Sequence, residues 1–389
     1  MNRMILFLLA FGAFLVGSAE LVINGVLNII AADLHISFSM AGQFITAFSL
    51  SFAIGSPILI TLLGRTSPKK TLIGSLILFI VGCLVTFFSS HFTTILLARV
   101  LLGLSAGVFS VVSVNAVAKL VKKEKMGTAI ASIAFGFSTA MVLGVPLGVM
   151  IAQWWGWKYI FFLLGGISTL ILLTLVYLLP ETEGEQPIPI KRRFSTLKQP
   201  IITIALIGSL FICISNSVML TYQTPYLINI LHIKNENIGI IVFILGIFGM
   251  IGSRLGGFVI DRWGTNFALI FSLIVNGIAL AILPLFSSLT MMGGILLIIW
   301  ICTIFMNGPA IQSYFIQQSP KTADLIISLH LSVVHLGTSI GASVGGFVVA
   351  KTATVQYNPW VAAVSVLFSI LFSLISISLQ KKKSINFVS

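Results

Sequence analysis

The chain has 389 residues, of which 58% are apolar and 8% charged, against about 45–50% and about 25% in soluble domains. So much apolar surface exceeds what a water-soluble core of this size hides, which excludes a soluble enzyme, a disulfide-stapled secreted domain and a disordered chain. The 22 bases outnumber the nine acids to give a net charge of +13, yet they form no stripe that tracks a nucleic-acid backbone; the composition is that of a polytopic membrane protein.

In chain order, apolar runs near 20 residues predict twelve transmembrane helices, at about 5–30, 39–63, 72–90, 93–117, 127–152, 157–179, 201–222, 237–259, 266–286, 291–315, 325–349 and 359–380. The first run is too long for the apolar core of a cleavable signal, lacks an A-x-A site and carries Glu20. Glu20 is the one acid of the nine that lies well inside a span. A carboxylate there costs several kcal/mol unless it faces a cavity, finds a partner or binds a proton, and burial disfavours its charged form. Glu20 therefore reads as a proton carrier, with a packing residue as the alternative. Asn24, one helical turn on, shares its face and is a candidate substrate contact.

Span 4 carries Arg99, the one base well inside a span. A rise of about 1.5 Å per residue gives Glu20 and Arg99 compatible depths in the outer half of the membrane, so Arg99 either tunes Glu20 or ties neighbouring backbones together. Gly103-Leu104-Ser105-Ala106-Gly107 matches G-x-S-x-G, but a nucleophile elbow needs a strand–turn–helix context; in a membrane helix the match reads as a chance run of small residues. Span 5 contains Gly144-Val145-Pro146-Leu147-Gly148. Gly144, Pro146 and Gly148 predict close packing and a bend against the other half.

The stretch from Pro180 to Pro200 is rich in proline and mixed charge, the composition of a linker. It divides the chain into bundles 1–179 and 201–389 joined by a cytoplasmic linker, 180–200, with room for one short surface helix. Landmarks repeat across it: Arg65 and Arg262 are 197 residues apart, Gly148 and Gly346 are 198. Duplicated six-helix units are a signature of secondary transporters.

In span 7, Asn216, Tyr222, Gln223 and Tyr226 form a polar patch, and span 10 adds Asn307 and Gln312. Rings beside amides suit flat or mixed polar–apolar solutes; the alternative is an interfacial tyrosine belt. In span 11, Ser332 and Ser339 flank His335 on one face, while Gly337, Gly341 and Gly345 form a small-residue seam on the other. His335 is thus a candidate for proton coupling or substrate contact, and His330 lies nearer the seam. Cys83, Cys213 and Cys302 fall in three different spans and read as buried thiols. No metal, cofactor or ATP-binding motif is present in the sequence.

Orientation follows from the bases. An N-terminus inside the cell puts eighteen of the 22 on the cytoplasmic side, leaves Lys158, Lys234 and Lys351 outside, and keeps Arg99 within a span. The positive-inside rule then places both termini in the cytoplasm.

Several groups of residues carry a likeness to a known family. They are Gly17-x-x-Glu20 with Asn24-Gly25-x-Leu27, Ile29-x-Ala31-x-Asp33-Leu34, Ala41-Gly42-Gln43, Arg99-x-x-x-Gly103, and Leu143 through Gly148. Gly156-Trp157-Lys158-x-x-Phe161, Pro309-x-x-Gln312 and Leu336-Gly337-x-x-x-Gly341 complete the set. Across its length the chain resembles the major facilitator superfamily, in particular its twelve-span drug/proton antiporter branch and the bacterial sugar, purine and multidrug efflux transporters. The family's loop after span 2 is degenerate here, with Gly64 for its acid and Ser67 for its later glycine. The second-half copy keeps Asp261 and Arg262, which the resemblance marks as gating residues.

The resemblance implies an all-α membrane protein of two pseudo-symmetric six-helix bundles, working by alternating access. It implies proton-coupled efflux of a small organic solute such as a drug, nucleobase, nucleoside or sugar, with no enzymatic activity and no cofactor. The expected setting is the bacterial cytoplasmic membrane, as a monomer whose partners are the solute, protons and the lipid bilayer. An importer of the same fold and a non-transporting receptor are the alternatives, and no motif specifies a substrate.

Overall fold

The computed structural model describes residues 3–63, 65–120, 126–181, 198–286, 289–318 and 323–385. Gly64, most of the expected linker (182–197) and the bases Lys122, Lys123, Lys125, Lys191, Arg192, Arg193 and Lys321 lie outside them. Among the described residues every regular element is helical, and twelve helices are long and apolar enough to cross a membrane. The reason is physical: lipid offers no hydrogen bonds, so each backbone group must be satisfied within its own helix.

Span 1 is α1 (Arg3–Asp33). Span 2 is α2 (Phe38–Leu50) and α3 (Ser56–Leu62), joined through a π-helical turn at Ser51–Gly55. The hydroxyl of Ser37 caps α2 by accepting from the Met40 N–H at 3.2 Å. Spans 3 and 4 are α4 (Pro68–Phe88) and α5 (Phe92–Leu120). Span 5 repeats the design of span 2: α6 (Met126–Thr139), a π-helical turn at Ala140–Gly144, then α7 (Val145–Trp154). Gly156, at φ 99°, a value that favours glycine, turns the chain into span 6, α8 (Lys158–Leu178).

Span 7 is α9 (Pro200–Thr221), prolonged by the short α10 (Gln223–Asn229). Then follow α11 (Ile238–Trp263), α12 (Thr265–Ile282), α13 (Thr290–Gln318), α14 (Ala323–Thr352) and α15 (Asn358–Ile385) as spans 8 to 12. The expected spans thus recur within several residues at each end.

The chain divides into two compact units, Met1–Ile188 with Ile238–Phe243, and Pro189–Asn237 with Ile244–Ser389. Inside each unit, small residues set the packing, as they must where lipid tails are as apolar as the side chains. In the first unit, a Cβ at Gly103 or Gly107 of α5 would strike the Phe48 carbonyl and Ser56 of span 2. The glycines of the G-x-S-x-G run thus seat span 2 against span 4, as small residues within a membrane helix. In the second unit, Gly337, Gly341 and Gly345 of α14 lie against α9 at Cys213, Ile214 and Val218, and against Tyr222. Likewise Gly252 and Gly256 of α11 meet the backbone of α13 at Cys302 and Met306.

Candidate functional site

In the first unit α1, α2 and α5 converge on Arg99, which is 1% exposed. Its Nε donates to the Phe44 carbonyl at 3.2 Å, and Nη1 donates to the Ala19 carbonyl at 2.7 Å. The guanidinium also lies 4.5 Å from the centre of the Phe48 ring. Gly103 explains the reach. One turn from Arg99, its missing side chain lets α5 close on the α2 backbone at Phe48, bringing Phe44 and Phe48 within range. The third nitrogen, Nη2, is buried with no hydrogen-bond partner among the described residues.

Glu20 follows Ala19 directly and is half-buried. Its carboxyl and the Arg99 guanidinium interact electrostatically. Arg99 thus ties α1 and α2 to α5 through their backbones, within electrostatic range of Glu20. Asn24, one turn on, is half-buried too.

Span 5 packs closely within its own unit. Gly144 and Gly148 spend their small size on α1. A Cβ on either would strike Ser18 or Val22 of α1, in their own unit. Gly136 makes the same approach to the Ala10 carbonyl. Pro146 sits at the start of α7, directly after the π-helical turn.

A contact that sequence reasoning missed joins two helix ends of this unit. The Trp157 indole donates to Asp33 Oδ2 at 2.9 Å, joining the end of α1 to the start of α8. Both residues stand in the quoted motifs, yet 124 positions separate them and no local spacing links them.

In the second unit the polar patch is partly absorbed by packing. The Tyr222 hydroxyl donates to the Ala342 carbonyl at 3.0 Å, tying span 7 to α14. Tyr222 and Tyr226 are each 1% exposed, which overturns the tyrosine-belt alternative; the Tyr226 hydroxyl has no partner among the described residues. Gln223 is buried, and Asn216 is half-buried with an unpartnered Oδ1. Asn307 donates through Nδ2 to Ser272 Oγ at 3.1 Å, which commits it to the α12–α13 contact, whereas Gln312 is exposed.

His335 is buried, on the side of α14 away from the glycine seam. His330 is also buried, with Nδ1 3.0 Å from Ser209 Oγ and its ring 5.2 Å from that of Phe315. Asp261 and Arg262 are exposed, and Arg262 lies over the Trp263 ring at 5.4 Å. No group of three or more metal-binding side chains occurs among the described residues.

The sequence matches the profile of the Major Facilitator Superfamily over residues 9–342. It is similar to the "Uncharacterized MFS-type transporter YbcL" of Bacillus subtilis, 31% identical over 99% of this chain and 98% of that protein. It is also similar to the "Inner membrane transport protein YdhP" of Escherichia coli, 26% identical over 92% and 91% of the two chains. Among solved structures, the fold resembles a bacterial homologue of the human lysosomal transporter Spinster in an inward-facing, occupied conformation. The TM-score is 0.81 at 16% identity, over 97% of each chain. A D-xylose–proton symporter shares the fold at TM-score 0.79 and 16% identity, over 95% and 96% of the two chains.

Proposed function

Because the chain belongs to the major facilitator superfamily it is a multi-pass membrane transporter rather than an enzyme, and we propose that it is a proton-coupled exporter of a small organic solute. The observation that carries this reading is the place of Arg99, bonded to the carbonyl of the residue before Glu20 and within electrostatic range of that carboxyl, inside the first unit. A lone intramembrane carboxyl that meets a fixed guanidinium has two states of different charge, and moving between them takes one proton.

In the proposed cycle Glu20 binds a proton from outside while solute leaves. The neutral carboxyl crosses the occluded state at lower cost than a carboxylate, and proton release inside accompanies solute binding. One charge moved through 100 mV supplies about 2.3 kcal/mol, or about a fiftyfold solute gradient per proton. Asn24 in the first unit, with Asn216, Gln223 and Tyr226 in the second, supplies the polar contacts for solute in this reading. Tyr222, Asn307 and the glycines serve packing. His335 is a second proton-coupling candidate, and Asp261 and Arg262 are assigned to gating. Both termini are read as cytoplasmic and the working unit as a monomer.

The test is solute-driven proton flux in proteoliposomes with wild type and Glu20→Gln. Export predicts that Glu20→Gln abolishes transport driven by a pH gradient while solute exchange persists. Full gradient-driven transport by the variant removes Glu20 from the cycle. Accumulation in right-side-out rather than inverted vesicles reverses the direction to import.

A further inference from the structure

A cavity of about 880 Å³ lies wholly within the first unit, between the Arg3 half of α1 and the π-turned span 5. Gly136 and Ala10 both line it, and the two helices approach closely there, at the Ala10 carbonyl. One wall is a ladder of three phenylalanines on α1. Phe7 and Phe11 stack at 5.8 Å with planes 12° apart, and Phe11 and Phe14 at 5.6 Å with planes 5° apart. The opposite wall carries Phe135, which is 71% exposed. Phe135 thus lines the same cavity as the α1 rings, with most of its ring uncovered by protein.

Charge in this cavity has one sign. Arg3, which is exposed, lines it, no acid does, and no carboxylate among the described residues pairs with Arg3. The Thr139 hydroxyl is spent on the Phe135 carbonyl at 2.7 Å. From Arg3 to Phe14 the helix rises about 16 Å, and the cavity volume falls within the range of small-molecule sites.

We infer that this groove binds a flat aromatic monoanion, its ring system against the phenylalanine ladder and its acid group at Arg3. The inference rests on the transporter reading and narrows its solute class, away from sugars and from lipophilic cations. Aromatic stacking supplies the body of the interaction. A single accessible guanidinium supplies the preference of sign.

The test is binding to purified protein in nanodiscs of zwitterionic lipid, followed by pyrene anisotropy with empty discs subtracted. The probes are 1-pyrenebutyrate and the trimethylammonium analogue of the same pyrenebutyl body. We expect saturable binding of the butyrate, at least fivefold tighter than the ammonium. Arg3→Gln, at the exposed end of α1, should erase that preference. Phe11→Ala should weaken the butyrate about threefold to tenfold, the range for one aromatic contact. Phe135→Ala, at an exposed position, should do the same and serves should Phe11→Ala fail to fold.

Equal or tighter binding of the ammonium overturns the inference, as does binding unchanged by Arg3→Gln and Phe135→Ala. Displacement of the probe by added phosphatidylglycerol at equal affinity also overturns it, since the groove is then a lipid seat. The assay needs no ion gradient. Binding without flux in proteoliposomes upholds the groove and counts against the transport cycle, whereas gradient-driven flux of other solutes without butyrate binding refutes the groove alone.

Discussion

Replacing Arg99 by lysine keeps the charge inside the membrane and removes the fork. Arginine reaches two carbonyls on different helices, Phe44 at 3.2 Å and Ala19 at 2.7 Å, and lies 4.5 Å from the Phe48 ring centre. A lysine ammonium on the same Cα can serve one of the two carbonyls but not both with the ring. The loss is therefore one interhelical hydrogen bond, about 0.6–1.7 kcal/mol in membrane proteins, plus part of a cation–π contact of about 0.5–2 kcal/mol. Together these predict a destabilisation of about 1–3 kcal/mol. Equilibrium unfolding in a denaturing detergent reads it, with the thiol of Cys83, fully buried in the fold, as reporter. Because the positive charge beside Glu20 survives, gradient-driven transport should fall but keep its pH dependence, whereas Arg99→Gln should change that dependence. An Arg99→Lys protein as stable as wild type would show that the guanidinium does not hold α1 and α2 to α5, and the account of this site would fail at its base.

The remaining expectations are narrower. Gly103→Ala puts a methyl group against the Phe48 carbonyl and should cost about 1–3 kcal/mol through forced separation of spans 2 and 4, read in the same unfolding assay; an unchanged midpoint would mean that the helices part without penalty. Trp157→Phe removes the 2.9 Å bond to Asp33 and should cost about 1–2 kcal/mol, with Asp33→Asn costing less because the amide oxygen still accepts. Tyr222→Phe removes the hydroxyl bond to Ala342 and should cost about 0.6–1.7 kcal/mol while leaving solute affinity unchanged; a large affinity loss would return Tyr222 to the binding surface.

The twelve spans were legible because each needs only a long apolar run, and the chain supplies those with few interruptions. Glu20 and Arg99 were legible for the inverse reason, as isolated charges in such runs. What pairs with what was not. Gly144 and Gly148 announce a close approach, but a glycine does not name its neighbour, and the neighbours are Ser18 and Val22 of α1. Asn307 looks like a solute contact from its place beside Gly308 and Pro309, yet its amide is committed to Ser272, 35 residues away in sequence. Trp157 and Asp33 were each visible in a motif, and only the fold makes them one contact. In a membrane helix every side is apolar, so the hydrophobic periodicity that would assign faces in a soluble bundle is weak.

The two π-helical turns follow from local chemistry that the sequence does carry. Proline has no N–H to donate and its ring crowds the carbonyl four residues earlier. For Pro57 that carbonyl belongs to Ala53, inside the π turn Ser51–Gly55; for Pro146 it belongs to Val142, inside Ala140–Gly144. Opening the turn by one residue relieves the clash and leaves carbonyls short of partners. In span 2 the Ser51 and Ser56 hydroxyls add second bonds to carbonyls that already accept the same serines' backbone N–H, to Ala47 at 2.7 Å and to Phe52 at 2.6 Å. Pro309, by contrast, is carried within α13 with no π turn at its place. A helix whose ladder is already opened bends there at lower cost than an intact one. Spans 2 and 5 hold equivalent places in the nested three-helix repeats of this fold, so the loosened points of the first unit are paired. One of them adjoins the seam where Gly144 meets Ser18, two residues before Glu20. A bend at Ala140–Gly144 therefore acts on the same stretch of α1 that carries Glu20, and replacing Pro146 by alanine should stiffen this point and slow solute flux in proteoliposomes, with some effect on the groove because Leu143 of the turn lines it.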